Sequence, residues 1–372
     1  MNVIDDRLFS FKLKSQDFVV TEELPFILSG KGDVFFVLFE KRNLNTMDVV
    51  NHICSVRNIP RLTLGIAGLK DKKAITRQRI CIYRSALKKI GGERGFTDTI
   101  SEVATVLKTG WHTDPIGMTV PIKNGFYIKL RANKNLSVKE RDISNKKILS
   151  LFKKGFPNLF GSQRFGVSGI NPKQGSDLLQ GKSKIRDKKD IIFKIQSYGS
   201  KIFNEYVNSR TKKGLQILDG DLIIDTENYK KNIFGIYQAK TDTVKFFDDS
   251  KKNEQFFHYP NITKEEVPFN KETMVITGPV PGYNLLLAPK ESAAGNKEKG
   301  LLDKNNINEK TLKLCIQYKI FGIRRPIWVF PQKVSVHFQG DDILLNFTLP
   351  GGSYASIMID QLEKTVGIKV SS

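Results

Sequence analysis

Between Gly68 and Gln78 the chain reads Gly-Leu-Lys-Asp-Lys-Lys-Ala-Ile-Thr-Arg-Gln, one carboxylate set among cations after an apolar run. Neighbouring positive charge favours the charged form of a carboxyl group, so Lys70, Lys72 and Lys73 should keep Asp71 ionised. A persistently ionised Asp suits a nucleophile or a general base, and the same cations attract RNA phosphate. An ordinary charged turn has the same composition, and the Gly-x4-Gly-Lys-Ser/Thr spacing of a phosphate loop is absent. Two further stretches are more specified than plain loops require. Asn158 to Gly166 (NLFGSQRFG) sets Gln163 and Arg164 between aromatics and glycines, and Leu349 to Ser356 (LPGGSYAS) presents Tyr354 at a helix start. Taken singly, Arg164 reads as a buried ion-pair partner and Tyr354 as a core aromatic.

Composition narrows the chemistry. The chain has 372 residues, of which 40% are hydrophobic, enough for a sizeable core in two domains or one large one. Lys and Arg number 60 against 38 Asp and Glu, a formal net charge of +22. A surplus of that size points to a polyanionic partner, because each neutralised phosphate releases condensed counterions, although a lysine-rich surface can also be a plain solubiliser. No apolar run approaches the roughly 18 residues of a membrane span, and the start (MNVIDDRLFSFKLK) lacks a signal peptide's apolar core. Cys54, Cys81 and Cys315 are odd in number and scattered, which fits a reducing cytoplasm. His52, His112, His258 and His337 lie far from one another and from the cysteines, so metal-ligand spacing is absent and a zinc or iron enzyme is not expected.

The elements that must position these residues are readable in outline. Val34 to Phe39 reads as a buried strand, followed by a helix from about Asn45 to Arg57. Leu62 to Ala67 and Arg79 to Tyr83 read as strands, and Phe126 to Arg131 alternates so that Phe126, Ile128 and Leu130 share a face. Ser137 and Glu140 form a capping box for a helix running to Gly155, with Ile143, Ile148, Leu149 and Phe152 as its apolar stripe. From Lys123 to Lys154 basic residues far outnumber the acids Glu140 and Asp142, which makes that helix either a solvated face or an RNA-facing one. A helical region covers about Asp187 to Arg210, Asp221 to Glu298 reads as irregular with strand-like pieces and turns such as Thr277 to Tyr283, and a helix follows near Glu309 to Phe321. Strands Lys333 to Phe338 and Ile343 to Leu349 precede a last helix from about Tyr354 to Val366, with Ser353 as N-cap. Strands and helices alternate without a strict βαβ rhythm, so the expected class is α+β with antiparallel or mixed sheet.

Together the three stretches resemble the TruD family of pseudouridine synthases: Gly68 to Gln78, Phe-Gly-Ser-Gln-Arg-Phe-Gly at 160 to 166, and Leu-Pro-Gly-Gly-Ser-Tyr-Ala-Ser at 349 to 356, in that order. Supporting marks are Asp17-Phe18-Val19-Val20 with Glu22, Gly30-Lys31-Gly32, Phe203-Asn204, Gly220-Asp221, and Gly278-Pro279 with Gly282. The resemblance implies a cofactor-free isomerase (an intramolecular transferase) that converts uridine to pseudouridine in tRNA, by family precedent at uridine 13. It implies that Asp71 is the essential aspartate, that Phe18, Asn124 and Tyr354 line the uridine pocket, and that Phe126 is the stacking aromatic. Lys12 matches a basic position near the aspartate, and Lys70, Lys72, Gln78, Gln163 and Arg164 belong to RNA-binding or structural motifs. It also implies a pseudouridine-synthase-like catalytic domain in two parts, 1–154 and 321–372, interrupted by an inserted TRUD domain at 155–320. A cytoplasmic monomer is expected.

The family's usual Gly-Asn-x-Phe is here Lys123-Asn124-Gly125-Phe126, Ser356 stands where Thr is usual, and Asp360-Gln361-Leu362 replaces Arg-Glu-Leu. None of these changes touches Asp71. A synthase acting on another RNA, or a non-catalytic RNA-binding protein or tRNA chaperone on the same fold, remain the alternatives.

Overall fold

The computed structural model describes residues 8–11, 14–70, 72, 74–117, 122–183, 185–212, 214–225, 234–247, 262–271, 273–366 and 368–370. Asp71, Lys12 and Lys73 lie outside the described residues. The chain divides into two compact units, one of residues Met1–Lys154 with Phe330–Ser372, the other Gly155–Val329. The first unit begins with β1 (Phe9–Phe11), β2 (Phe18–Glu23), β3 (Val34–Arg42), α1 (Thr46–Arg57), β4 (Leu64–Gly65) and β5 (Ile75–Tyr83). It continues through α2 (Arg84–Lys89), α3 (Gly92–Ser101), β6 (Thr105–His112), β7 (Lys123–Ala132) and α4 (Val138–Lys154). The second unit holds β8 (Phe156–Pro157), α5 (Asn171–Leu179), α6 (Lys188–Thr211), β9 (Leu222–Asp225), β10 (Phe234–Gln238), β11 (Thr243–Phe247), β12 (Ile262–Pro268) and β13 (Met274–Val280). It closes with α7 (Ala293–Lys304), α8 (Glu309–Gln317), β14 (Ile323–Pro326) and β15 (Trp328–Val329). The chain then returns to the first unit with β16 (Gln332–Gln339), β17 (Asp342–Pro350), α9 (Ala355–Val366) and β18 (Ile368–Val370).

The first unit is built on a ten-stranded mixed sheet with the main order β16-β17-β7-β2-β5-β3-β6. β2 and β5 run parallel, as do β1 and β18, and the other pairs are antiparallel. β3 is apolar along most of its length because it lies between β5 and β6 and is buried on both faces. β7 alternates instead, with Asn124, Phe126, Ile128 and Leu130 buried on one face. On that face, Phe35, Val37 and Phe39 of β3 and Ile80 and Ile82 of β5 pack under α1, α2 and α3. At the other side of the same face, Phe152 of α4 meets Phe347 of β17 at 5.4 Å between ring centroids. The capping box starts α4, with Ser137 N–H donating to Glu140 Oε2 at 2.8 Å and Glu140 N–H to Ser137 Oγ at 3.2 Å. Gly155, at φ +69°, follows its end in a conformation that favours glycine.

Three local expectations need correction. Pro60 opens a single 3-10 turn at Arg61–Thr63, so only Leu64–Gly65 of the stretch Leu62 to Ala67 pairs as strand. Ile143 and Leu149 of α4 are exposed, because the buried line is Ser144, Ile148 and Phe152, spaced four apart on one helical face. The helix at Glu309 stops at Gln317, where Ile320 N–H turns back to Cys315 C=O and Lys319 takes φ +53°.

The second unit has a six-stranded sheet, β12-β11-β10-β9-β13-β14, all neighbours antiparallel. The stretch Asp221 to Glu298, read as irregular with strand-like pieces, contains most of a regular sheet. Its strands are four to seven residues long, too short for alternation to stand out. Phe203, Tyr206 and Val207 of α6 pack with Ile223, Ile276 and Val280 in its core. Arg210 and Asp221, fully buried, pair bidentately at 2.9 and 2.6 Å. Among the described residues no helix is long and apolar enough to cross a membrane.

Phe39, fully buried in the core beneath α1, should be indispensable to the first unit. Phe39→Ala is expected to destabilise it by ~3–5 kcal/mol through lost transfer energy and the cavity left behind, read from urea unfolding.

Candidate active site

The inward face of the large sheet is apolar except for one strip. Register places Asn124 of β7 opposite Glu22 of β2, and Gln78 of β5 opposite Phe39 of β3. β2 and β5 pair through Val20 with Thr76 and Thr21 with Arg77, which sets Glu22 beside Gln78. Because side chains alternate along a strand, Asn124, Glu22, Thr76, Gln78 and Lys41 all fall on the face that also carries Phe18, Phe126 and Phe347. All five polar residues are buried. Among the described residues Glu22 Oε2, Thr76 Oγ1, Gln78 Nε2 and Asn124 Oδ1 have no hydrogen-bond partner. Leaving a buried polar atom unsatisfied costs roughly 1–3 kcal/mol, so four on neighbouring positions of one strip mark a place built for something other than stability.

This strip meets the loop that begins at Gly68. Lys70 N–H donates to Thr46 Oγ1 at 3.0 Å, and the same hydroxyl donates to Gln78 Oε1 at 2.8 Å. Lys70 C=O accepts from Lys41 Nζ at 3.5 Å, and Lys41 also donates to Leu44 C=O at 2.6 Å. The Lys70 ammonium lies 3.6 Å from Glu22 Oε2, with both side chains almost wholly buried. Glu22 Oε1 accepts from Arg79 N–H at 3.0 Å, and Arg79 Nη1 donates to the Glu22 carbonyl at 2.8 Å. Burial pushes the Glu22 carboxyl above the ordinary carboxylate range, and Lys70 and Arg79 only partly pull it back.

Of the residues singled out from sequence, Phe18, Asn124, Phe126, Lys70 and Gln78 come together on or beside this strip. Phe126 is 7% exposed, its ring stacked between Phe18 at 6.1 Å and Phe347 at 5.3 Å, so its present partners are core aromatics. Lys72 is exposed, and Tyr354 is half-buried just before α9 in the same unit. Gln163 and Arg164 belong to the second unit. There Gln163 is exposed, while Arg164 donates to Ser200 Oγ and Gln196 Oε1, each at 3.2 Å, with its guanidinium near Phe160 and Phe193. Sequence reasoning does not single out Thr46, Lys41 or Thr76, and it marks Glu22 only as a family residue. The readable signal is parity: Glu22 stands four residues after Phe18 on a strand whose alternate positions face the core. Among the described residues no group of three or more His, Cys, Asp or Glu could hold a metal ion.

The mixed sheet and its helices define an α+β protein of the pseudouridine-synthase-like class. A crystal structure from Methanosarcina mazei, titled a putative tRNA pseudouridine synthase D (TruD), superposes with a TM-score of 0.58 at 18% identity, covering 98% of this chain and 94% of that one. At that identity the likeness speaks for the fold alone. The sequence matches the family described as tRNA pseudouridine synthase D (TruD) over residues 9–188 and 191–362. A relative from a Nitratiruptor species, named tRNA pseudouridine synthase D, is 28% identical over 370 residues, 95% of this chain and 94% of its own. One of the same name from Histophilus somni is 30% identical over 352 residues, 94% and 93% of the two chains. This chain belongs to the TruD family.

The raised pKa of Glu22 has a readable consequence. A carboxyl group whose pKa is raised on folding carries stability that is present at low pH and lost as pH rises through the raised value. Glu22→Gln cannot ionise, so its stability relative to wild type should climb as pH rises from about 4.5 through the raised value. Thermal unfolding of both proteins across that window checks this, and a constant difference would contradict it.

Proposed function

We propose that this chain isomerises uridine 13 of tRNA to pseudouridine, with Asp71 as the reacting carboxylate. Membership of the TruD family makes it a tRNA pseudouridine synthase, an isomerase. The observation that carries the finer reading is the set of unsatisfied polar atoms of Thr76, Gln78 and Asn124 on the strip beside Lys70, the residue that immediately precedes Asp71 in the chain. Such atoms, buried among aromatics, suit the hydrogen-bonding edge of a base better than they suit a folded core.

The reaction breaks the bond between ribose C1′ and uracil N1, turns the base, and joins C5 to C1′. Three roles are open to one ionised carboxylate: attack at C1′, addition to C6, or removal of a ribose proton. A base stacked within RNA is out of reach, so the uridine is turned out of the helix before reaction. Asn124, whose Oδ1 is buried without a partner, is positioned in sequence and register to read the uracil N3–H. Stacking on Tyr354 or Phe126 contributes on the order of 1–3 kcal/mol. Phe18 backs Phe126 from the next strand. Lys12 and Lys72 are read as supplying positive charge to the reaction. Gly155–Val329 is read as the family's inserted domain, a few residues longer at its end than the 155–320 expected from sequence.

Asp71→Asn should bind tRNA as wild type does and release no tritium from transcripts labelled at uridine C5. Release at the wild-type rate would remove Asp71 from the reaction, and release from a transcript lacking uridine 13 would move the target. The exposed Lys146 and Lys147 of α4 are expected to meet phosphate. Reversing both charges should weaken tRNA binding and flatten the slope of log K against log salt by about two or more, whereas an unchanged slope would return α4 to a plain solvated face.

A further inference from the structure

Every polar group of Lys70 is held by a different part of the first unit. Its N–H is fixed by Thr46 at the start of α1, its carbonyl by Lys41 at the end of β3, and its ammonium by Glu22 on β2. Thr46 is fixed in turn, because its single hydroxyl proton goes to Gln78 of β5 while its lone pair receives Lys70 N–H. Consecutive Cα atoms are ~3.8 Å apart, so a residue clamped at three points sets where the next residue begins. The next residue is Asp71.

The clamp is a poor device for stability. Glu22 and Lys70 approach only to 3.6 Å, Glu22 Oε2 accepts no hydrogen bond, and burial raises the carboxyl's pKa. Buried pairs of this quality are commonly matched or bettered by apolar residues of similar size. What an apolar pair would lose is the directional hold on Lys70.

We propose that Glu22, supported by Thr46, is a positioning residue for the reaction: acting through Lys70, it sets where the Asp71 carboxylate is delivered. This rests on the reading of Asp71 given above. Glu22 touches neither the uridine nor the reacting atoms in this role. A displacement of about 1 Å in a reacting group can cost on the order of 100-fold in rate, so the effect falls on the chemical step and leaves affinity for tRNA alone.

The test uses the full chain and an unmodified tRNA transcript, with single-turnover tritium release, tRNA affinity and thermal unfolding measured for each variant. Glu22→Gln should slow release on the order of 10- to 100-fold with tRNA affinity within about twofold of wild type. The double variant Glu22→Gln/Lys70→Met replaces the ion pair by a neutral one. It should unfold at or above the wild-type temperature, yet remain as slow as Glu22→Gln. Thr46→Val should be slow and Thr46→Ser, which keeps the hydroxyl, close to wild type. Recovery of rate together with stability in the double variant would make the pair merely structural and overturn the proposal. So would wild-type turnover by Glu22→Gln, or a loss explained wholly by affinity. Should Glu22→Gln fail to fold, the double variant and the Thr46 pair still decide the matter. Asp71→Asn is run alongside. Turnover by that variant would defeat the reading of Asp71, whereas a silent Asp71→Asn beside a fully active Glu22→Gln would defeat only the role of Glu22.

Discussion

A strand's inward face has no water, and any polar side chain placed there must find its partners within the protein. That constraint governs the first unit. Along β7, β2, β5 and β3 the inward positions are apolar until the strip of Asn124, Glu22, Thr76, Gln78 and Lys41. The strip cannot be satisfied by neighbouring strands alone, since their backbone groups are committed to the ladders. Among the described residues, partners from outside the sheet include the Thr46 hydroxyl at the start of α1, the Leu44 carbonyl before it and the loop at Lys70. The location of α1 and the path of that loop are thus tied to a polar strip inside an apolar layer.

The topology is what allows this. β2 and β5 are parallel neighbours although β3, α1 and β4 lie between them in sequence, so the chain must cross the sheet before returning beside β2. That crossing delivers α1 onto the same face as the strip, where Val49, Val50 and Ile53 bury against Phe35, Val37 and Phe39. Asn45 and Asp48 cap the helix start, with Asn45 N–H donating to Asp48 Oδ2 at 3.0 Å. The capped turn presents Thr46 inward as its first residue. Helix packing and loop anchoring are in this sense one event, because the apolar stripe that docks α1 also fixes the hydroxyl that holds Lys70.

Much of this is legible in the chain itself. Local signals survive in sequence when they are complete within a few residues. The Ser137–Glu140 box, the alternation of Phe126, Ile128 and Leu130, and the apolar run of β3 are of that kind, and each has its counterpart in the structure. The motif at Gly68 to Gln78 is legible as a carboxylate among cations. The function of its neighbours is not, because the partners of Lys70 come from residues 22, 41 and 46, and register alone brings them near. Ile143 and Leu149 mislead because a sequence shows apolar residues at helical spacing without showing how narrow the covered stripe is. The strands between Asp221 and Val280 are legible only as strand-like pieces and not as one sheet, since each is too short to display a clear period.

Two buried pairs, one in each unit, handle charge in contrasting ways. In the second unit Arg210 binds Asp221 through two nitrogens, also reaches the Tyr206 hydroxyl and the Gln216 carbonyl, and leaves Nε as its one unpaired nitrogen. Asp221 accepts in addition from Leu218 N–H at 2.7 Å. Charges so thoroughly matched recover most of their desolvation cost, and they join α6 to the turn before β9 without leaving capacity for anything else. In the first unit the Glu22–Lys70 pair is longer, one carboxylate oxygen accepts no hydrogen bond, and three neighbouring polar atoms are equally idle. Saturated pairs lock a structure in place. An unsaturated one, buried beside the residue that leads into the only carboxylate of its motif, adds direction more than stability, while the idle atoms of Thr76, Gln78 and Asn124 beside it keep hydrogen-bonding capacity in reserve.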